Sequence, residues 1–452
     1  MPISAARTIA FDALLRVETE GAYASDVLHA RLNPKVGPRD AALATEIVMG
    51  ALRWQRLLDF FIERYTRKKL GALDVEVLIA LRIGIYQLRY LARVPANAAV
   101  NDSVELVKRA RKHSASSLVN AVLRRAGRES TKPVEEFLPL DPPPADAFGL
   151  LHSHPTWLVE RWLERFGRAE TITLLATNNE TPRRACAVTS REFWEEVTRS
   201  LVDADVEFEP GRLLRDAITI RSGDVTKTKA FENGWISFQD EASQMIPLLL
   251  GVNPGESVLD VCAAPGGKTL ALARAAGPKA LVVAADRREN RLRVMRERLV
   301  RAGASNVKFV ALDGTAPLPF SGKFDRILVD APCSGTGTLA RNPEIRWKLK
   351  PTDLAELHAR QVMLLDSALE CLAPKGQLVY STCSLEPEEN EAVVSEALQA
   401  HPEFQMIAPE IPAGVLANGI RAETLLTPDA AFRTFPRLHF TDGFFAAVLR
   451  RR

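Results

Sequence analysis

The chain reads as a multidomain protein: an all-α front domain, a small α/β module and a carboxy-terminal α/β domain of the Rossmann-like kind. Three observations predict this. Residues 3–128 place apolar side chains at helical spacing, residues 131–147 are rich in proline, and from about 236 onward strand-like and helix-like runs alternate. At 452 residues the chain is too long for one core, because single cores stop growing at roughly 250–300 residues. The expected divisions are 1–130, 131–150, 151–235 and 236–452.

In the front domain, helices are expected over 5–17, 40–67 and 75–92, the second on the spacing of Leu43, Ile47, Leu52, Leu57, Leu58 and Phe61. Pro34, Gly37 and Pro38 break the early part, and Pro95 and Asn97 the later part. Basic residues cluster at Arg67-Lys68-Lys69, at Lys108-Arg109-Ala110-Arg111-Lys112 and at Arg124-Arg125. Residues 1–129 hold 21 Lys and Arg against 13 Asp and Glu, a balance of +8, while the remainder holds 38 against 43, or −5. That asymmetry suggests a polyanion contacted mainly through the front third, with a merely solvated helical surface as the alternative.

Residues 131–147 are expected as an extended, semi-rigid connector. A capped amphipathic helix follows over 153–163, then a strand near 183–190, a helix near 191–204 and strands around 217–221 and 234–239. In the last domain the strand cores fall at 257–262, 280–286, 307–312, 324–329 and 376–381, with helices at 269–276, 291–302 and 352–371. Residues 441–450 read as a closing strand.

Composition narrows the class. The chain is 46% hydrophobic and 25% charged, as soluble globular proteins are. No apolar run approaches the roughly 18–20 residues that span a bilayer, and Met1-Pro2-Ile3-Ser4 begins no secretory signal. Five cysteines (Cys186, Cys262, Cys333, Cys371, Cys383) form no C-x-x-C pair and no zinc spacing, so no metal is expected. Reduced thiols in the cytoplasm are the expectation.

The segment Asp260-Val261-Cys262-Ala263-Ala264-Pro265-Gly266-Gly267-Lys268-Thr269 runs from a strand through a glycine loop into a helix. Glycine permits close approach to the backbone, and the helix start offers free N–H groups. Asp286 ends the next strand, 20 residues past Gly266, where an acid accepts ribose hydroxyls. Asp313 ends the third strand, placed to meet an adenine amino group, and Asp330 ends the fourth. An acidic rim around one glycine loop suits a cationic nucleoside, S-adenosylmethionine, better than a dinucleotide with its two phosphates. Two other readings weigh against this. Gly266-Gly267-Lys268-Thr269 imitates the end of a P-loop, but Cys262 stands where the cradle needs glycine. Single Asp residues at strand ends also cap helices.

Cys333, in Val329-Asp330-Ala331-Pro332-Cys333-Ser334-Gly335-Thr336-Gly337, and Cys383, in Tyr380-Ser381-Thr382-Cys383-Ser384, both follow strand ends, where open α/β sheets bind ligands. A buried structural role suits any one cysteine, but joint placement in Ser/Thr/Gly loops favours chemistry. A thiolate is able to add to C6 of a pyrimidine, and only such an adduct makes C5 nucleophilic.

Residues 1–125 resemble the NusB-type antitermination fold, on Arg39, Leu52-Arg53-Trp54-Gln55-Arg56, the run from Leu81 to Leu88, and Val100 to Val104. The resemblance implies RNA binding. Residues 236–452 resemble the Sun-type RNA cytosine-C5 methyltransferases, which include the nucleolar Nop proteins. That likeness rests on Gln239-Asp240-Glu241-Ala242-Ser243-Gln244, 262–269, 330–337, Asn342-Pro343-Glu344-Ile345-Arg346-Trp347, Tyr380 through Glu386-Pro387-Glu388-Glu389-Asn390, and Thr441-Asp442-Gly443-Phe444-Phe445. Together the two resemble the bacterial members that methylate one cytosine of 16S ribosomal RNA. Ala340 departs from the basic residue expected there.

The resemblance implies Cys383 as nucleophile and Cys333 as the residue that helps release product, acting as base. Asp330, protonated or bridging, is the candidate donor toward N3 of the base, and Lys268 is expected to orient the pocket. Cys262, Ala263, Ala264, Pro265, Gly266, Gly267, Lys268, Asp286, Asp313 and Asp330 are expected at the cofactor, and small-subunit ribosomal RNA is the expected partner of a monomer. A cysteine hydrolase would need a histidine beside a thiol, and only His358 lies between the two. A non-catalytic RNA-binding or ribosome-assembly protein is the other alternative. DNA C5 enzymes are disfavoured because their nucleophile follows the fourth strand.

Overall fold

The computed structural model describes residues 3–32, 36–138 and 142–452. They form two compact units, Met1–Thr181 with Leu339–Leu349, and Pro182–Thr338 with Lys350–Arg452.

The first unit is helical. Ser4 caps the helix Ala5–Glu20 by accepting from Arg7 N–H at 3.4 Å, and Gly21 ends it in the left-handed region at φ 66°. The helix expected over 40–67 is two, Pro38–Arg53 and Gln55–Thr66, broken at Trp54. Trp54 leaves helical geometry and stacks on Tyr90, centroids 4.9 Å apart. Helices Val75–Tyr90, Ala96–Arg109 and Ser116–Arg128 complete the bundle around Ile47, Leu58, Phe61, Ile79, Ile83, Leu106 and Leu123. Buried Arg82 is held by Asp59 at 2.7 Å and Glu18 at 3.0 Å. Pro34 and part of the connector, residues 139–141, lie outside the described residues. The connector is not extended throughout: Val134–Phe137 is a 3₁₀ turn and Pro144–Leu151 an α-helix started by proline. Ser153 accepts from Arg56 N–H at 3.0 Å instead of capping the helix Thr156–Thr177, which belongs to this unit and is interrupted at Gly167.

The strip Leu339–Leu349, sequence-distant from these helices, is part of the same unit. Arg346, 1% exposed, donates to the carbonyls of Ser153 at 3.0 Å and Asn178 at 3.0 Å and to Asn179 Oδ1 at 2.9 Å. Burial pulls its guanidinium down to about 9. Trp347 Nε1 donates to Leu52 O at 2.6 Å, and Ala24 N to Glu344 at 2.9 Å.

In the second unit, among the described residues, β1 (Arg184–Val188), β2 (Glu207–Pro210), β3 (Ala217–Ser222) and β4 (Ile236–Phe238) form an antiparallel sheet ordered β2-β3-β1-β4. Helix Trp194–Asp203 closes its core over Cys186, Ile218 and Ile236. The larger sheet holds β5 (Val258–Asp260), β6 (Val282–Asp286), β7 (Val307–Ala311), β8 (Phe324–Asp330), β9 (Leu372–Thr382), β10 (Phe404–Ile407), β11 (Phe432–Arg433) and β12 (Phe445–Arg451). Its order is β10-β12-β9-β8-β5-β6-β7, with β11 beside β12.

Strands β5 to β9 pair in parallel, and β12 closes antiparallel on β9. Alternate residues serve opposite faces: Val258, Val282 and Leu328 pack with Leu270, Met295 and Leu299, whereas Leu259, Val283 and Ile327 pack with Leu364, Leu365 and Ala368. The chain proceeds from β5 to β6 and β7 on one side and places β8 and β9 on the other. Such a switch opens a crevice at the strands' carboxyl ends.

Candidate active site

The glycine loop leaves β5 and enters the helix Gly267–Ala276. Gly266 has φ 103°, and a Cβ there would sit 2.7 Å from Met295 Cγ, so the loop closes on this helix layer only with glycine. Four acids surround it. Asp260, 1% exposed, accepts from Thr269 Oγ1 at 2.6 Å, while its Oδ1 is buried without a partner. Burial pushes its carboxyl up to about 7. Asp286 accepts from Ala264 N–H at 3.2 Å and Arg288 N–H at 2.9 Å. Asp330 accepts from Lys268 Nζ at 2.7 Å and Ser381 Oγ at 2.8 Å. The Lys268 ammonium also lies 5.2 Å from the centre of the Phe444 ring.

The fourth acid, Asp313, is exposed; it accepts from Thr315 Oγ1 at 2.7 Å within its own turn and lies 3.5 Å from Arg287. Cys262 is kept as a neutral thiol, pushed up by burial and then by Asp260, Asp330 and Asp286. A helix start that follows a glycine loop, with the buried Asp260 Oδ1 left without a partner beside it, fits a cationic nucleoside such as S-adenosylmethionine.

The register of β8 and β9 pairs Asp330 with Ser381, and this brings the two thiol loops together. Cys333 and Cys383 stand Sγ to Sγ at 3.3 Å. The loops are zipped by Gly337 N–H to Cys383 O at 2.9 Å and Leu385 N–H to Thr336 Oγ1 at 2.9 Å. The Cys333 thiol is pushed well above its ordinary value, first by its hydrogen bond to Cys383, then by burial. Either sulfur is able to donate across this contact.

The sequence-derived site residues thus converge, except that Asp313 is occupied in its own turn. Cys186 and Cys371 are buried, as structural thiols are. His358 touches neither sulfur, since Nδ1 lies 2.7 Å from Glu388 O and Nε2 2.8 Å from Glu396; this removes the base that a cysteine hydrolase needs. Two buried carboxylates were missed. Asp260 carried a signal, an acid closing a buried strand, whereas Glu389 carried none beyond its motif. The charge expectation also changes: residues 287–301 hold seven arginines against two glutamates, and all seven arginines are exposed. Of these, Arg287 and Arg291 lie near Asp313 and Asp286, and in the front unit Lys108, Arg109 and Lys112 pair with Glu105, Asp12 and Asp74.

Fold, glycine loop and paired thiols define a Rossmann-like methyltransferase that uses S-adenosylmethionine. Residues 247–450 match the family described as 16S rRNA methyltransferase RsmB/F, residues 4–128 the NusB family, and residues 154–226 the ferredoxin-like domain of RsmF/B-like methyltransferases. The chain is 34% identical to the probable ribosomal RNA small subunit methyltransferase B of Synechocystis, over 99% of both chains. It is 30% identical to that of Bacillus subtilis over 100% of both. Among solved structures, PH0851 aligns at TM-score 0.82 and 25% identity over 100% of both chains. A methyltransferase homologue from Pyrococcus horikoshii aligns at 0.58 and 30%, covering 69% of this chain and 100% of that one. The chain belongs to the RsmB/F family of 16S rRNA methyltransferases.

Proposed function

We propose that the protein methylates C5 of one cytosine in 16S ribosomal RNA through a covalent bond from Cys383 to C6, and that Cys333 releases the product. The observation that carries this is the 3.3 Å sulfur pair at the carboxyl ends of the adjacent strands β8 and β9. Two thiols at one strand-end crevice allow one to add to the base and the other to serve the later proton step.

The target base leaves its stack, at a cost of a few kcal/mol unless already looped out. Cys383 Sγ bonds C6, and the C5–C6 π pair moves toward C4 and N3. Asp330 accepts from both Lys268 and Ser381, so it acts here as a bridge, and the Lys268 ammonium it holds presents the N–H toward the developing charge. S-adenosylmethionine supplies the methyl group.

With Cys383 converted to a thioether, the main cause that opposed ionisation of Cys333 is gone. Cys333 gives its proton to water and takes the C5 proton, and the C5–H pair reforms the C5–C6 bond as the S–C6 bond breaks. Cys383 leaves as thiolate and the resting Sγ–H···Sγ bond returns; one proton has been released to solvent. Asp286 serves the ribose, and Asp313 the adenine once its turn opens. RNA phosphates meet two basic surfaces, the front helices and the arginine-rich stretch 287–301. Free thiols support work in the cytoplasm, and one chain carries every group in this cycle, which supports a monomer.

The test is a pair of variants. Cys383→Ala abolishes methyl transfer while cofactor still binds, and Cys333→Ala accumulates a protein–RNA adduct that survives a denaturing gel. Exchange of the two phenotypes overturns the assignment.

A further inference from the structure

One buried carboxylate touches both thiol loops. Glu389 closes the short turn Pro387–Glu389 and is 0% exposed. Its Oε1 accepts from Ser334 N–H at 2.7 Å and from Gln361 Nε2 at 3.0 Å. Its Oε2 accepts from Ser384 Oγ at 2.5 Å and from Ser334 Oγ. Ser334 and Ser384 are the residues immediately after the two cysteines. Gln361 Nε2 also donates to Pro332 O at 2.9 Å, so Cys333 is held on both sides. Cys383 is bracketed likewise by Asn390, which accepts from Thr382 Oγ1 at 2.5 Å and donates to Ser384 O at 2.9 Å.

A carboxylate taken out of water is tolerated only when its lone pairs are met. Here three of the four donors come from the thiol loops, and the fourth also grips one of them. Neither loop is able to shift alone without leaving that carboxylate short of donors. We propose that Glu389 is a positioning residue for both sulfurs: it fixes the loops so that the two stand 3.3 Å apart, Cys383 placed to attack and Cys333 placed to act after it. The inference rests on the roles proposed above for the two cysteines. Its negative charge also lies among the causes that keep the Cys333 proton in place.

Glu389→Gln keeps the shape. Its oxygen is able to face Ser334 N–H and Gln361 while its amide donates to the two serine hydroxyls, which rotate to accept; only the charge is lost. Glu389→Ala removes all four acceptors. The measurements are thermal melting, cofactor affinity, the single-turnover rate of adduct formation on 16S RNA, and the rate of adduct release against pH. Glu389→Gln is expected to melt and bind cofactor as wild type does, with the pH profile of release moved about one unit lower. Glu389→Ala is expected to slow both formation and release, each by about a hundredfold, because displacement near 1 Å carries that penalty.

A merely structural glutamate would leave the pH profile of the Gln variant unmoved, and that result overturns the proposal. So does an Ala variant slowed in only one step. Cys383→Ala and Cys333→Ala are run beside them. If those two behave as assigned while the Glu389 variants behave as wild type, the positioning role alone fails; if Cys383→Ala still turns over, the underlying mechanism fails.

Discussion

Replacing Asp260 by asparagine tests the electrostatics at the root of the cofactor loop. Burial holds this carboxyl at about 7 in the folded chain, against 3.8 for the free side chain. Its folded value is raised, so its stability contribution is complete below about pH 4, where both states are protonated. Between pH 4 and 7 the unfolded chain ionises and the folded one does not, and stability falls by up to about 1.4 kcal/mol per pH unit. Over the roughly three units between the two values, the loss sums to about 4 kcal/mol.

The asparagine side chain does not titrate, and Thr269 Oγ1 retains an oxygen to donate to. The cost of burying the extra amide N–H is the same at every pH. The assay is urea unfolding of both proteins from pH 4 to pH 8, followed by hydrogen exchange on the helix Gly267–Ala276. The quantity of interest is the stability difference between variant and wild type, in which all other titrating groups cancel. That difference is expected to swing toward the variant by about 4 kcal/mol across the range. A difference flat with pH refutes the claim that Asp260 is buried as a protonated acid.

Gly337→Ala places a Cβ 2.1 Å from Gly443 O and 2.9 Å from Cys383 O, both backbone atoms; a loss of about 1–3 kcal/mol in chemical denaturation, with slower adduct formation, is expected. Arg346→Ala strands the carbonyls of Ser153 and Asn178 in a buried site, and a drop of about 3 kcal/mol or more in the stability of the helical unit should follow, read as a lowered melting temperature. Arg293→Glu with Arg298→Glu should weaken RNA binding and flatten its salt dependence, measured by anisotropy between 50 and 200 mM salt. The log–log slope should fall by about 0.7–0.9 for each phosphate that is no longer neutralised. An unchanged slope would exclude that helix from the RNA interface.

Much of the second unit was legible because its signals are local. A buried run ending in an acid, followed by glycine and a helix, needs only neighbours in sequence to identify it, and β5 falls where that pattern places it, as β6, β8 and β9 fall on their apolar runs. The misreadings fall where the local signal was silent or had two meanings. Trp54 breaks a helix without proline or glycine, and its reason is a tertiary partner, Tyr90. The run Pro142-Pro143-Pro144 suggested an extended segment, yet proline is well suited to a helix's first turn, and Pro144 begins one. The strip Leu339–Leu349 gave no sign that its burial lies among the front helices, since four of the oxygens that Arg346 meets lie 167 to 293 residues away.

From its residues alone, this protein's fold class, its strand–glycine loop–helix and the placing of two cysteines after strand ends were legible, because hydrophobic period and glycine placement act over a few residues. Tertiary structure alone decided how close the two thiols stand, which acid is buried and which carboxylate holds the loops. Those properties depend on distance and burial. They arise where β8 and β9 lie side by side, bringing together sulfurs 50 residues apart and Ser334 onto Glu389 across 55.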